Sequence, residues 1–552
     1  MKKPEYKISN VDRMDPFLMS LTSSDNHWMF ISSNGALTAG REKADYSLFP
    51  YITDNLIHSS LNTTGPTTTI EIYKENNKLD TWCPLSYLPP RHNVEKNLYK
   101  DALGDNILFE EINKDLNITF RYQWLTSREY GFIKRTELVN NSNEELNFKI
   151  IDGIQNILPS GLDVQTQQSL SNLSNAYKHS EIIKDTKLGI FSLGSLIMDR
   201  PDPGEALNAN TVWVRSGIDF KPNLSSPIDT NGDVYNEVLT GVPGSYFITS
   251  QITLEKNQKA EWDIILDVNQ NHKSVVALNE RINFIKNEID LSIEQNQHSL
   301  IKYLGSADGF QVTSSKNNTL HHTSNVLFNI MRGGIFVHNY DINKPDFIKF
   351  LKLRNKTIYN SIIDELDQLN EKTTMSELIN FGEGQKSPSF TRLCYEYLPL
   401  TFGRRHGDPS RPWNVFNIKV NDGDSVLYYH EGNWRDIFQN WEGLIISYPK
   451  SLPSIISKFL NATTKDGYNP YRINKEGIDW EVVDEDDTWS HIGYWNDHQI
   501  IYLLKLLEAQ WQIDRGFIFA SLNKKIFSTA NIPYRIKDDD KIIENPKNTI
   551  DF

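Results

Sequence analysis

Through roughly the first 270 residues, apolar positions come in short runs broken by turn-forming clusters. WMFISS (28–33), TTTIEIY (67–73), ITFRYQW (118–124), GFIKRTELV (131–139), LNFKIID (146–152), SYFITSQITL (245–254) and AEWDIILDV (260–268) are the clearest. In LNFKIID, Leu146, Phe148 and Ile150 recur at period two, the signature of a half-buried strand. NNSNEE and DTNGD are turn chemistry between strands. Many strands without interspersed amphipathic helices predict a large antiparallel sandwich. After about residue 272 the period lengthens. Helices are expected over 275–304 and 347–369, the latter with Ile348, Leu351, Ile358, Ile362, Leu366 and Leu369 as its stripe and Pro345-Asp346 at its start. The polar stretch 370–389 reads as a linker or loop.

From about 390, helices alternate with long loops rich in Trp, Tyr, Asp, Glu and Gly. Helices are expected over 451–464 and 497–511, the second with a broad, largely buried stripe of Ile500, Ile501, Leu503, Leu504, Leu507 and Trp511. Helices with chemistry in their connecting loops suit an α/α toroid. The fold class is therefore multidomain, β then α. Its expected parts are a β sandwich over 1–270, a helical linker with the first barrel helices over 271–389, and an incomplete barrel carrying the site loops over 390–552.

Composition narrows the function. The 552 residues carry 57 basic and 71 acidic side chains, a formal charge of −14, which argues against a nucleic-acid partner. Cys83 and Cys394 are the only cysteines, too few for a disulfide framework or a cysteine zinc site. The opening MKKPEYKISNVDRMDP has no apolar core of a secretory signal, and no apolar run approaches the ~18 residues of a membrane span. The Asn-x-Ser/Thr triplets at Asn62 and Asn117 then read as chance, and a soluble cytoplasmic protein is expected.

Two stretches carry candidate chemistry. GNWRDIFQNWEG (432–443) mixes Trp434 and Trp441 with Arg435, Asp436, Gln439, Asn440 and Glu442. Flat apolar faces beside short polar groups make either core or the floor of a sugar site, and the two tryptophans divide evenly between stacking and packing. The loop 465–497 holds Asp479, Glu481, Asp484, Glu485, Asp486, Asp487 and Asp497, interleaved with Trp480, Trp489 and Trp495. An acidic loop is ordinarily a solvated face, but the indoles point to a glycosidic site, where a carboxylic acid protonates the leaving oxygen and indoles stack on the sugar. No metal is expected, since the EF-hand spacing is absent and His406, His430, His491 and His498 lack zinc-enzyme spacing. GxSxG, the P-loop and GxGxxG are also missing. FGRRHGDPSRPWN (402–414) is divided between an anion contact and Arg–Asp packing.

The succession YYHEGNWRDIFQNWEG (428–443), FLNATTKDGYNPYRI and GYWNDHQIIYLLKLLEA (493–509) resembles the inverting disaccharide phosphorylases. That family includes cellobiose and chitobiose phosphorylases and the phosphorylase part of cyclic glucan synthases. Arg435, Asp436, Gln439, Gly443, Asp466, Gly467, Asn496 and Asp497 match its pattern in order and spacing. FISSNGALTAGREKADYSLFPY (30–51), TWCPLSYLPP (81–90) and KRTELVNNSNEELNFKI (134–150) resemble its N-terminal strands. The resemblance implies a β supersandwich, linker helices and an (α/α)6 barrel, commonly in a homodimer. It implies that Arg435 binds hydroxyls of the glycone, with Asn440 where the family has a second hydroxyl-binding Asp. Asn both donates and accepts and carries no charge.

The family's general acid lies in a Gly-Asp-Trp-Asn-Asp motif whose position falls at or past residue 552, so the chain resembles the N-terminal portion of a longer or split enzyme. The implied reaction is inverting phosphorolysis of a β-linked gluco-oligosaccharide or disaccharide to a sugar 1-phosphate, with inorganic phosphate as co-substrate and no cofactor. Trp434, Trp441 and Trp495 join Arg435, Asp436, Gln439 and Asn440 as expected sugar-binding residues. An inverting hydrolase would draw acid and base from Glu442, Glu481, Asp487 or Asp497. A third expectation is a truncated, non-catalytic sugar-binding or partner-binding chain whose activity needs a second chain, since a half-toroid exposes helix faces meant for neighbours.

Overall fold

The alternating runs of the N-terminal half form strands where the pattern places them. A computed structural model describes residues 4–74, 77–195, 197, 204–225, 236–285, 287–338, 341–401, 418, 421–422, 425–465, 467–480, 499–531, 535–547 and 550–551. The chain divides into two compact units, one formed by 1–301 with 406–418 and the other by 302–405 with 419–552.

In the first unit, a ten-stranded antiparallel sheet runs in the order Tyr6–Ser9, Val94–Lys100, Ile107–Asn113, Ile118–Ser127, Gly131–Asn140, Lys259–Asn271, Asn208–Ser216, Leu188–Leu193, Lys178–Ile183, Val238–Thr240. A five-stranded sheet runs Lys221–Asn223, Gly244–Leu254, Leu146–Ile157, Gly65–Lys74, Asn77–Trp82. One apolar cluster joins them, drawing Phe109, Phe120, Trp124 and Trp262 from the larger sheet and Ile70, Ile72, Phe148 and Ile150 from the smaller. The period-two face Leu146, Phe148, Ile150 is buried, as patterning requires.

Inside this core sits a fully satisfied ion pair. Lys134 Nζ donates to both oxygens of Asp152 at 2.6 and 2.8 Å, and Thr68 Oγ1 and Trp262 Nε1 each donate to the same carboxylate at 2.7 Å. Burial pulls the Lys134 ammonium down while Asp152 counters it.

Helices α1 (His272–Arg281) and α2 (Glu288–Ser306) replace the single helix expected over 275–304. α1 buries no side chain, whereas the start of α2 docks Ile289 and Ile293 against Leu125, Ile133, Trp213 and Ile265 of the larger sheet.

The second unit is helical, with α3 (Lys316–Gly333), α4 (Lys344–Arg354), α5 (Met375–Gly384), α6 (Pro388–Glu396), α7 (Trp434–Ser447), α8 (Leu452–Ala462) and α9 (Gln499–Ile513). The expected helix over 347–369 stops at Arg354. Asn355 takes an extended conformation there, and its side chain accepts from the Ile358 N–H at 3.0 Å, starting a separate turn over Lys356–Ser361.

The stretch read as a loop over 370–389 contains α5, begun by a capping box in which Thr374 and Glu377 satisfy each other's backbone N–H groups. The stripe of α9 is narrower than expected. Leu503, Leu506 and Gln510 are buried, whereas Ile500, Ile501, Leu504 and Trp511 are exposed. Among the described residues, no helix is long and apolar enough to cross a membrane.

Candidate functional site

The stretch 432–443 forms a strand end and the start of α7. Strand Glu431–Asn433 pairs with Arg472–Asn474, and the Trp434 N–H donates to the Tyr471 carbonyl at 2.9 Å, fixing where the helix begins. Trp434, Ile437, Phe438, Trp441, Leu444 and Ile445 then form the buried stripe of an amphipathic helix. Ring centroids of Trp434 and Phe438 lie 4.7 Å apart, Phe438 and Trp441 5.1 Å, and Phe438 and Phe459 of α8 4.9 Å. Both indoles have no solvent exposure. Of the two roles open to Trp434 and Trp441, the structure places them in packing, and neither offers a face to a sugar.

The polar residues of α7 divide by position. Asp436 and Asn440, one turn apart, are both buried, and Asn440 Nδ2 finds no hydrogen-bond partner. Gln439 is exposed. Glu442 reaches Lys505 of α9 at 3.3 Å in a solvent-facing ion pair. The helix passes so close to α3 at Gly443 that a Cβ there would meet Asn329 Nδ2 at 2.5 Å. Gly467 takes φ +88°, a left-handed turn that suits glycine, and donates its N–H to Thr464 at 3.1 Å. The side chain of Arg435 lies outside the described residues, as do Glu481, Asp487, Trp495, Asp497, Asp466, Asn496 and 402–414.

Behind α7 lies a largely buried charge network that no periodicity along the chain announces. Asp346 opens α4 and accepts from the Tyr397 hydroxyl at 2.7 Å and from Lys475. Arg354 closes α4 and donates to Glu396 at the end of α6, which also accepts from Asn461 Nδ2 at 3.1 Å. Glu431 pairs with Arg472.

Burial would raise the Glu396 carboxyl, but Arg354 and Lys458 outweigh it and hold it below the ordinary range. Burial pulls the Lys458 ammonium down to about 8, with Arg354 and Lys475 adding to the effect and Glu396 opposing it. His430 is buried, with both ring nitrogens unpartnered and its ring edge 5.7 Å from Trp441. Burial, then Lys458, Lys475 and Arg354, hold it well below the usual histidine range, so it is neutral. A cavity of about 10 Å³, the space of one water, lies among Arg354, Glu396, Lys458 and Lys475.

This network sets Arg354, Lys458, Lys475 and Arg472 against Asp346, Glu396 and Glu431, with Arg354, Arg472 and Lys475 only partly buried. The carboxyl groups raised above their ordinary range among the described residues are Asp101, Asp105 and Asp267, all in the first unit. Among the described residues, no group of three or more His, Cys, Asp or Glu side chains could hold a metal ion.

Residues 336–399, which supply Asp346, Arg354 and Glu396, match the family model for glycoside hydrolase family 149 insertion domain 1. No curated protein matches the chain. Among solved structures, a candidate kojibiose phosphorylase from the human microbiome is similar at 10% identity and a TM-score of 0.31, covering 92% of this chain and 55% of its own. This chain thus spans just over half of that protein. A bacterial glucoamylase complexed with acarbose is similar at 9% identity and a TM-score of 0.31, over 88% of this chain and 74% of its own. Heparinase III is similar at 11% identity and a TM-score of 0.21, over 47% of this chain and 36% of its own. TM-scores this low establish no shared fold. The match that carries weight is the one to an insertion domain of a glycoside hydrolase family, and it covers 336–399.

Proposed function

We propose that this chain belongs to a carbohydrate-active enzyme that cleaves β-linked gluco-oligosaccharides or disaccharides by inverting phosphorolysis. The observation that carries the reading is the match of 336–399 to a glycoside hydrolase insertion domain, in the same helical unit as the 428–509 motif series. A phosphate oxygen attacks the anomeric carbon as the bond to the glycosidic oxygen breaks. A carboxylic acid delivers its proton to that leaving oxygen, and the product is a sugar 1-phosphate. Arg435, Asp436 and Asn440 are assigned to glycone hydroxyls, and Asp497, Asp487 and Glu481 remain candidates for carboxylate chemistry.

Incubation of the chain with short β-glucans, with and without inorganic phosphate, tests this. Phosphate-dependent release of sugar 1-phosphate is the expected result. Phosphate-independent cleavage would make the protein a hydrolase. Sugar binding without either product would make the chain a binding portion completed by another polypeptide.

A further inference from the structure

The water-sized cavity in the charge network of the helical unit has an unbalanced lining. Arg354 at the end of α4, Glu396 at the end of α6, Lys458 in α8 and Lys475, just past the strand Arg472–Asn474, surround it. Ile473 and Ile478 add an apolar wall.

The carboxylates of this network are already engaged. Glu396 turns one oxygen to Arg354 and the other to Asn461 Nδ2 at 3.1 Å. Asp346 accepts from Lys475 and, at 2.7 Å, from the Tyr397 hydroxyl. Those pairs leave Lys458 over. Its residue is 6% exposed, and Glu396 reaches it as a charge at a distance, without a hydrogen bond. Among the described residues, Lys458 Nζ has no hydrogen-bond or ion-pair partner. It stands 5.7 Å from the centroid of the Phe350 ring, a contact that offsets little of a buried charge.

Burial lowers the Lys458 ammonium to about 8, so near pH 7 it still carries its charge. A charge held out of water without a partner is costly. A water in the cavity would solvate the ammonium and leave the charge uncompensated, whereas an anion of similar size would do both. At about 10 Å³ the cavity has room for a single atom of that kind and none for phosphate or a carboxylate. The side chains of Arg354 and Lys475 are 25 and 12% exposed, which gives a small ion a way in past them.

We propose that this cavity is a halide site, in which chloride neutralises Lys458 and is flanked by Arg354 and Lys475. The ion ties α4, α6 and α8 to the strand Arg472–Asn474 and so stabilises the helical unit. Its size separates it from the phosphate of the proposed reaction, and it stands whether or not that reaction is found.

Thermal unfolding of the full chain at constant ionic strength, read by far-ultraviolet circular dichroism, tests this with sodium chloride, bromide, phosphate or gluconate. Chloride or bromide, at about ten times its dissociation constant, is expected to raise the melting temperature by about 2–5 °C over gluconate. In Lys458→Met, which keeps the length of the side chain, that gain should vanish. A wild-type crystal grown in bromide reads the site independently of any variant, and anomalous density in contact with Lys458 Nζ is expected. Equal melting in chloride and gluconate, an equal halide gain in wild type and folded Lys458→Met, a Lys458-dependent gain from phosphate as large as that from chloride, or no anomalous density at Lys458 would each overturn the proposal.

Discussion

Replacing Trp441 separates the two readings of the 432–443 stretch most cleanly. The indole is fully buried, with Phe438 at 5.1 Å and His430 at 5.7 Å. Trp441→Ala deletes a whole bicyclic side chain from this cluster, and a rigid surround of α3, α8 and α9 leaves much of the space unfilled. Large-to-small changes of this kind cost about 3–5 kcal/mol. The lost edge-to-face pairs are worth about 0.5–1.5 kcal/mol each beyond area burial, which favours the upper part of that range. Trp441→Phe keeps one ring and most of the contacts, and a cost of about 1–2 kcal/mol is expected. Urea unfolding followed by far-ultraviolet circular dichroism reads both changes, and calorimetric titration with cellobiose reads binding in the folded Phe variant. The packing role predicts lower urea midpoints in the order Ala below Phe below wild type, with sugar affinity of the Phe variant unchanged. An unaltered midpoint in Trp441→Ala, together with a sugar affinity reduced tenfold or more, would refute it and return the indole to the sugar site.

Further expectations follow from buried charge and close packing. Lys134→Met strips the ammonium from Asp152 and leaves a carboxylate in the sandwich core, a loss of about 3–5 kcal/mol, most of which Lys134→Met/Asp152→Leu should restore. Equal urea midpoints for the single variant and wild type would contradict that. His430 is neutral when folded and titrates near 6.5 when unfolded, so the unfolded state binds the extra proton. Its contribution is therefore complete above about pH 6.5 and lost as pH falls below that value, by up to about 1.4 kcal/mol per pH unit. His430→Phe should flatten that slope, and an unchanged slope between pH 6.5 and 5 would show that other groups control it. Gly443→Leu should separate α3 from α7, lowering the melting temperature by several degrees, whereas a melting temperature equal to wild type would mean the approach at Asn329 relaxes without cost.

The strand Leu146–Ile157 was legible because Leu146, Phe148 and Ile150 meet the core while Asn147 and Lys149 between them stay partly exposed, which writes period two into the chain. Helix ends were less legible. Asn355 interrupts an apolar stripe that continues through Ile362, Leu366 and Leu369, so periodicity alone runs past the break. The Thr374–Glu377 pair was the available signal for α5, and its polar surroundings concealed it. The charge network could not be read along the chain at all. Asp346, Glu396, Lys458 and Lys475 come from separate elements and share a site only through the packing of α4, α6 and α8.

The ambiguity of 432–443 has a similar cause. Sugar sites and helix cores both want aromatic rings beside small polar groups, and composition does not distinguish them. Helical spacing does. Trp434, Phe438, Trp441 and Ile445 fall three or four residues apart, which puts them on one face, and that face meets Phe459 of α8. Asp436, Asn440 and Gly443 fall on the flank, also three or four apart, where Gly443 lets α3 approach. The sugar contacts proposed for this helix are therefore assigned to residues other than the indoles, whose faces are buried. On the proposed function, sugar contact and packing in this motif use different faces of one helix. This division predicts that polar substitutions along 435, 436 and 440 alter binding, while aromatic ones alter stability.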